Sequence, residues 1–180
     1  MTRRELESRK QKFEREALVH LDALLKAAGR IGRGLQDSQD VVQETYLRAW
    51  KYFDSFEAGT NCRAWLFRIM FNVINGRRGK QAKLAELPLE EETSAGYQHG
   101  NVVMFDPLKR IEGREVLEAT NGLSDEHRSV LWLVVVEEFA YREAAEILEV
   151  PIGTVMSRLY RARNELRRIL ITSRRSGTES

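Results

Sequence analysis

Four side chains near the C-terminal end, Thr154, Ser157, Arg158 and Arg161, combine short hydroxyls with long guanidinium forks. If the stretch after Pro151 is helical, at ~100° per residue they gather within an arc of roughly 100° and share one solvent face. This is chemistry suited to nucleic acid. Arginine pairs bidentately with guanine, and hydroxyls donate to phosphate oxygens. Arg163, Arg167 and Arg168 extend the charge toward the C-terminal end, where cations also complement the helix dipole. Between Gly153 and Arg175 there are seven arginines and one acid, Glu165.

An arginine-rich helix end in any all-α protein is also well solvated, so the elements that position it carry the argument. The stretch FAYREAAEILEVPIGTVMSRLYRARNELRRIL reads as two helices broken at Glu149-Val150-Pro151. Pro151, with its fixed φ and missing N–H, suits a first helical position. Behind the polar arc Val155, Leu159, Ala162 and Leu166 form one apolar stripe. The preceding helix, Tyr141 to Leu148, offers Ala144, Ala145 and Leu148 as small contacts for a close crossing. A short connection between two such helices, the second basic, is the pattern of a DNA-binding helix-turn-helix.

The N-terminal segment, about Phe13 to Lys83, carries a second set of signals. A helix is expected from Asp37 as N-cap, with Asp40 in its acidic first turn. Val42, Tyr46, Ala49 and Phe53 make its buried stripe, while Asp40, Glu44, Leu47 and Lys51 fall on the other side. Leu47 is out of place on a solvent face; with Asp40, Gln43, Glu44 and Arg48 around it, it resembles an apolar anchor with a charged rim. After a turn at Glu57-Ala58-Gly59, a helix capped by Thr60 or Asn61 runs through CRAWLFRIMFNVIN. Trp65, Leu66, Ile69 and Val73 mark one apolar side, and Phe67, Phe71 and Ile74 another. Only Arg68, Asn72 and Asn75 are polar, and Gly76-Arg77-Arg78-Gly79-Lys80 closes the segment in positive charge. Such a helix suits the centre of a bundle, and its aromatics and trailing arginines also suit a single-stranded DNA contact.

Composition agrees with two small helical domains. The chain has 180 residues, 31% of them charged, and a formal net charge of only +2, yet the charges are unevenly placed. Leu84 to Pro107 holds Glu86, Glu90, Glu91, Glu92 and Asp106 with no lysine or arginine. That stretch also carries Pro88, Gly96 and Gly100 and shows no sustained period, so it reads as a flexible acidic linker. No apolar run approaches the ~20 residues of a membrane span, and the start MTRRELESRKQKFERE lacks the apolar core of a signal peptide. A cytoplasmic protein without membrane insertion is expected. The single cysteine, Cys62, excludes an intrachain disulfide and reads as a small buried residue. His20, His99 and His127 lie far apart without partners at ligand spacing, and phosphate-binding glycine loops and nucleophile elbows are missing. No catalytic constellation, metal site or cofactor is expected, so the chain is not expected to be an enzyme.

DSQDVVQETYLRAWKYF, then GTNCRAWLFRIMFNVI, then a linker, then LSDEHRSVLWLVVVEEFAYREAAEILEVPIGTVMSRLYRARNELR together resemble a bacterial sigma factor of the extracytoplasmic-function class, group IV of the sigma-70 family. The resemblance covers roughly Phe13 to Leu170. It implies an all-α transcription initiation factor with two small helical domains: a sigma region 2-like domain at 13–83, an acidic linker at 84–107, and a sigma region 4-like helix-turn-helix domain at 108–172. The implied partners are core RNA polymerase, through its β′ clamp helices and β flap, promoter DNA, and an anti-sigma factor.

By matching motif, the resemblance assigns Asp40, Gln43, Glu44, Leu47 and Arg48 to the clamp helices. It assigns Phe56, Gly59, Thr60, Asn61, Arg63, Ala64, Trp65, Arg68 and Asn72 to the minus-ten element, where a base is flipped into a pocket. Thr154, Ser157, Arg158 and Arg161 match the helix that reads the minus-thirty-five element, and Tyr141 and Arg142 match the entry to its supporting helix. One departure is Glu149, where the family often has glycine in the turn; a left-handed backbone there would cost roughly 1 kcal/mol. Two other classes remain open. A helix-turn-helix regulator that is not a sigma factor would use the same C-terminal module without binding polymerase. A nucleic-acid enzyme would need metal carboxylates or a nucleophile at one site.

Overall fold

In the computed structural model, residues 2–32, 38–57, 59–85 and 113–176 are described, and all of their regular structure is helical. Most of the acidic linker and the expected Asp37 cap lie outside the described residues. The chain divides into two compact units. The first carries four α-helices: α1 (Arg3–Glu16), α2 (Leu21–Ile31), α3 (Ser38–Tyr52) and α4 (Cys62–Ala85). The second carries α5 (Gly113–Ala119), α6 (Asp125–Leu131), residues 141–145 of α7 (Tyr141–Leu148), and α8 (Ile152–Ser176).

In the first unit α3 packs against α2 and α4. Leu24, Ala27, Ala28 and Ile31 of α2 meet Val41, Val42, Thr45 and Ala49 of α3 and Leu66, Phe67, Met70, Phe71, Val73 and Ile74 of α4, all buried. The expected stripe on α3 is present, but it is wider by Val41 and Thr45, and Tyr46 is only half-buried. Thr45 is buried without cost because its hydroxyl donates to the Val41 carbonyl at 2.7 Å. On α4 Phe67, Phe71 and Ile74 are buried on one side and Leu66 and Val73 on the other, where Trp65 and Ile69 are half-buried, and the strip of Arg68, Asn72 and Asn75 is exposed.

α4 does not stop at the glycines. It runs through Gly76 and Gly79 because the arginines between them are tied down: Arg77 reaches Glu44 at 2.8 Å and the Asp40 carbonyl at 3.1 Å, and Arg78 donates to the Ile31 carbonyl at 2.6 Å. α1 begins well ahead of Phe13. Its Thr2 cap and Glu5 satisfy each other's backbone N–H groups in a capping box. Phe13 is the wedge that holds it, edge-on to Tyr46, Trp50 and Phe53 at ring distances of 6.2, 5.2 and 5.0 Å.

In the second unit α5 and α6 pack on α8. Ser124 caps α6 by accepting from the His127 N–H at 3.3 Å. After α6 the chain widens into one π-turn, Trp132–Val136, which leaves Glu137 buried with its carboxylate accepting from the Trp132 indole at 3.0 Å. Arg128 is almost fully buried and paired with Asp125. α7 ends in a Schellman turn: Glu149 takes φ +55° and the Val150 N–H reaches the Ala145 carbonyl at 3.1 Å. Pro151 stands just before α8, its carbonyl accepting from Thr154 and Val155, so it is the residue ahead of the first helical position expected for it.

Candidate polymerase and DNA interfaces

Three groups of predicted residues lie on three surfaces. The first is the outer face of α3, where Asp40, Gln43, Leu47 and Arg48 are exposed and Glu44 is half-buried. Leu47 is 65% exposed although α3 has a full apolar stripe elsewhere. Around it the charges are fixed: Glu44 accepts from Arg48 at 2.6 Å, one helical turn on, and from Arg77 of α4 at 2.8 Å. The Arg77 hydrogen bond, helped by the charges of both arginines, holds the Glu44 carboxyl below its usual range although burial pushes the other way. Arg77 is therefore part of this surface. The sequence displayed it only as one member of a basic run, with no sign that it crosses to α3.

The second surface is the turn between α3 and α4. Gly59 has φ +91°, which a side chain tolerates poorly, so the turn depends on glycine there. The Thr60 hydroxyl donates to the Glu57 carbonyl at 2.7 Å, and Asn61 is the N-cap of α4, accepting from the Ala64 N–H at 3.1 Å. Gly59, Thr60, Asn61, Arg68 and Asn72 are exposed, and Arg63, Ala64 and Trp65 are half-buried. Phe56 is different. It is 8% exposed, its ring 6.0 Å from Phe53 and 5.1 Å from Trp65, so it forms the floor under the turn rather than its surface. Ala58 lies outside the described residues.

Cys62 opens α4 and is half-buried where a small buried residue was expected. Burial, with Glu16 adding a smaller effect, pushes its thiol up to about 11. Nearby His20 is held below 6.5, first by burial and then by the Arg63 charge.

The third surface is α8 with the start of α7. Val155, Leu159, Ala162 and Leu166 are buried as expected, joined by Leu170. On α7 Ala144 and Ile147 are buried, whereas Ala145 and Leu148, expected at the crossing, are half-buried. Tyr141 and Arg142 are exposed. Thr154, Ser157, Arg158 and Arg161 lie together on α8 but are half-buried, and the Ser157 hydroxyl turns back to the Thr154 carbonyl at 3.1 Å. The most open side is rotated toward Ile152, Met156 and Tyr160, which are 47%, 41% and 56% exposed. Periodicity missed these residues because their apolar character masks an exposed position. Their i, i+4, i+8 spacing away from the buried stripe was the available signal.

Among the described residues no group of histidine, cysteine and carboxylate side chains has metal-binding geometry, and no helix is long and apolar enough to cross a membrane.

Both units match known proteins. The family described as Sigma-70 region 2 matches residues 18–83, and Sigma-70, region 4 matches residues 113–166. The chain is 28% identical over 159 residues to the ECF RNA polymerase sigma factor SigW of Bacillus subtilis, covering 84% of this chain and 85% of that one. It is 33% identical over 135 residues to the ECF RNA polymerase sigma factor EcfG of Rhodopseudomonas palustris, covering 74% and 71%. Among solved structures, the sigma factor RpoE of Bartonella quintana, in complex with the anti-sigma factor NepR, superimposes with a TM-score of 0.70 at 31% identity, covering 89% of this chain and 97% of that one.

Proposed function

Because this chain belongs to the extracytoplasmic-function sigma factors of the sigma-70 family, and is thus an alternative sigma factor for transcription initiation that binds core RNA polymerase and promoter DNA, we propose that its three surfaces divide that work. Asp40, Gln43, Glu44, Leu47 and Arg48 dock on the β′ clamp helices. Gly59, Thr60, Asn61, Arg63, Ala64 and Trp65, with Arg68 and Asn72 along α4 and Phe56 beneath as support, hold the minus-ten element and its flipped base. Tyr141, Arg142, Thr154, Ser157, Arg158 and Arg161 read the minus-thirty-five element, while their domain meets the β flap. In this reading residues 13–83 and 108–172 are the working domains, 84–107 tethers them, and α1 extends the first.

The observation that carries the reading is the outer face of α3: an exposed leucine ringed by charges that Arg77 and Arg48 hold in place. A DNA-binding regulator that acts without polymerase has no use for it. Extruding one base costs a few kcal/mol of unstacking, and a correct bidentate contact returns about 1 to 3 kcal/mol. Opening therefore depends on both domains being anchored on polymerase, and the free factor binds promoter DNA weakly. The protein does no covalent chemistry itself, works in the cytoplasm, and is restrained by an anti-sigma factor, as the RpoE relative is seen bound to NepR.

Run-off transcription with purified core polymerase, followed by sequencing of the transcript starts, tests the reading. Discrete starts that require this chain are expected. Starts that are the same with and without it would overturn the proposal.

A further inference from the structure

α1 lies ahead of the residues matched by Sigma-70 region 2, which begin at 18, so that resemblance gives the helix no task. It borders an open groove of about 620 Å³ whose other wall is Phe53, Asp54 and Phe56. Resting on the minus-ten reading of the neighbouring turn, we propose that this groove takes the sugar-phosphate backbone of single-stranded promoter DNA next to the recognised base.

The charges in the groove point that way. Arg4, Ser8 and Lys12 follow one another at i, i+4 and i+8 and so line a single face of α1. Neither Arg4 nor Lys12 is in an ion pair with another described residue. The three cations of the lining, Arg4, Arg9 and Lys12, outnumber its two acids. Glu5 accepts from the Thr2 N–H at 2.6 Å in the capping box, and Asp54 lies 2.9 Å from the Arg9 guanidinium as an ion pair, off the axis of a hydrogen bond. A ligand therefore meets a surplus of one positive charge, with the Ser8 hydroxyl between the two cations of α1.

The extent and place of that charge select a strand over a small anion. Arg4 and Lys12 are eight residues apart, ~12 Å along the helix, further than one phosphate group reaches. The Lys12 ammonium stands 5.8 Å above the Phe53 ring, which stacks on Phe56 at 6.0 Å, and Phe56 in turn meets Trp65 at 5.1 Å. Lys12 therefore sits on the same aromatic floor as the minus-ten turn. A duplex has no reason to pass there, whereas a strand whose base has been taken by the turn must continue across adjacent surface.

The helix is also fixed in position before DNA arrives. Phe13 is wedged among three aromatic rings, the Arg9 guanidinium lies 4.3 Å from the centre of the Trp50 ring, and it donates to the Trp50 carbonyl at 2.5 Å. Ordering α1 costs nothing at the moment of binding, which favours a pre-formed phosphate track.

The test uses holoenzyme assembled from core polymerase and the full chain. The probe is a fluorescent single-stranded oligonucleotide carrying the non-template minus-ten region of a run-off-mapped promoter, titrated between 50 and 200 mM salt. With R4A/K12A, binding is expected to weaken roughly three- to tenfold at low salt and the log–log salt slope to fall by about 1.4, two contacts at ~0.7 each. R4K/K12R should retain the wild-type slope, and binding of core polymerase and of a minus-thirty-five duplex should not change. Unaltered slope and affinity in R4A/K12A, while R68A/N72A weakens the same oligonucleotide, would overturn the groove and leave the minus-ten reading standing. If R68A/N72A also binds as wild type, the minus-ten reading fails and the groove with it. Equal loss on the duplex would overturn it too, as general charge attraction. Arg4 is exposed, Lys12 is half-buried over the Phe53 ring, and alanine preserves helicity, so an unchanged far-ultraviolet circular dichroism spectrum together with an unchanged urea midpoint separates binding from folding.

Discussion

Truncating Leu47 to alanine should weaken binding to core polymerase by about five- to thirtyfold while leaving the stability of the free protein unchanged. The magnitude comes from the side chain's present exposure, 65%. Burying a whole leucine is worth roughly 1.5 to 3 kcal/mol, so covering the exposed two-thirds in an interface contributes about 1 to 2 kcal/mol, and each ~1.4 kcal/mol is tenfold in affinity. Leu47→Asp should cost more, because it puts a carboxylate beside Glu44 and Asp40 and desolvates it on docking. Alanine is at least as good a helix former as leucine, and surface substitutions usually move stability by no more than ~0.5 kcal/mol. Equilibrium competition of labelled and unlabelled factor for core enzyme measures the first quantity and urea unfolding the second. Wild-type affinity in the alanine variant would refute the assignment. Lost affinity accompanied by an equal loss of stability would refute the argument that the leucine serves a partner and not the fold.

Arg158→Ala should reduce occupancy of the minus-thirty-five element by the about 1 to 3 kcal/mol of one bidentate contact, with polymerase binding intact; footprinting of holoenzyme on matched and altered promoters checks this. Glu138 has φ +56°, and glycine there removes a left-handed penalty of ~1 to 2 kcal/mol at an entropic cost of ~0.4 to 1 kcal/mol, so Glu138→Gly should raise the midpoint of the second unit by a few degrees in calorimetry. His20 is held below 6.5 by burial and by Arg63, so the unfolded chain takes up its proton first: full stability is present above 6.5 and falls as pH drops below it. Urea midpoints at pH 7.5 and 5.5 should therefore separate, and less so in His20→Gln. Cys62, with its thiol pushed up to about 11 from 9.0, should react with iodoacetamide roughly ten- to a hundredfold more slowly in the native protein than in the unfolded chain.

How far the sequence leads depends on how local the cause is. Helix type, the apolar stripe of α8, the break at Glu149-Val150-Pro151 and the odd exposure of Leu47 follow from periodicity and turn chemistry within a few residues. The three ordered motifs named the family. What lay beyond reach was any feature that needs two distant segments. The run Gly76 to Lys80 read only as a positively charged end of its segment, but Arg77 and Arg78 find Glu44 and Ile31 across the bundle while α4 continues to Ala85. Phe56 seemed free for DNA until Phe53 and Trp65 were placed around it. The polar arc of α8 was correctly composed but its open side was displaced, because a helical wheel knows the spacing of Met156 and Tyr160 and not what stands in front of them. α1 gave no apolar period at all, since a single residue, Phe13, anchors it. Spacing along one helix is written in the chain; which carboxylate an arginine meets, and which ring covers another, is decided only when the packing of several helices brings them within a few ångströms.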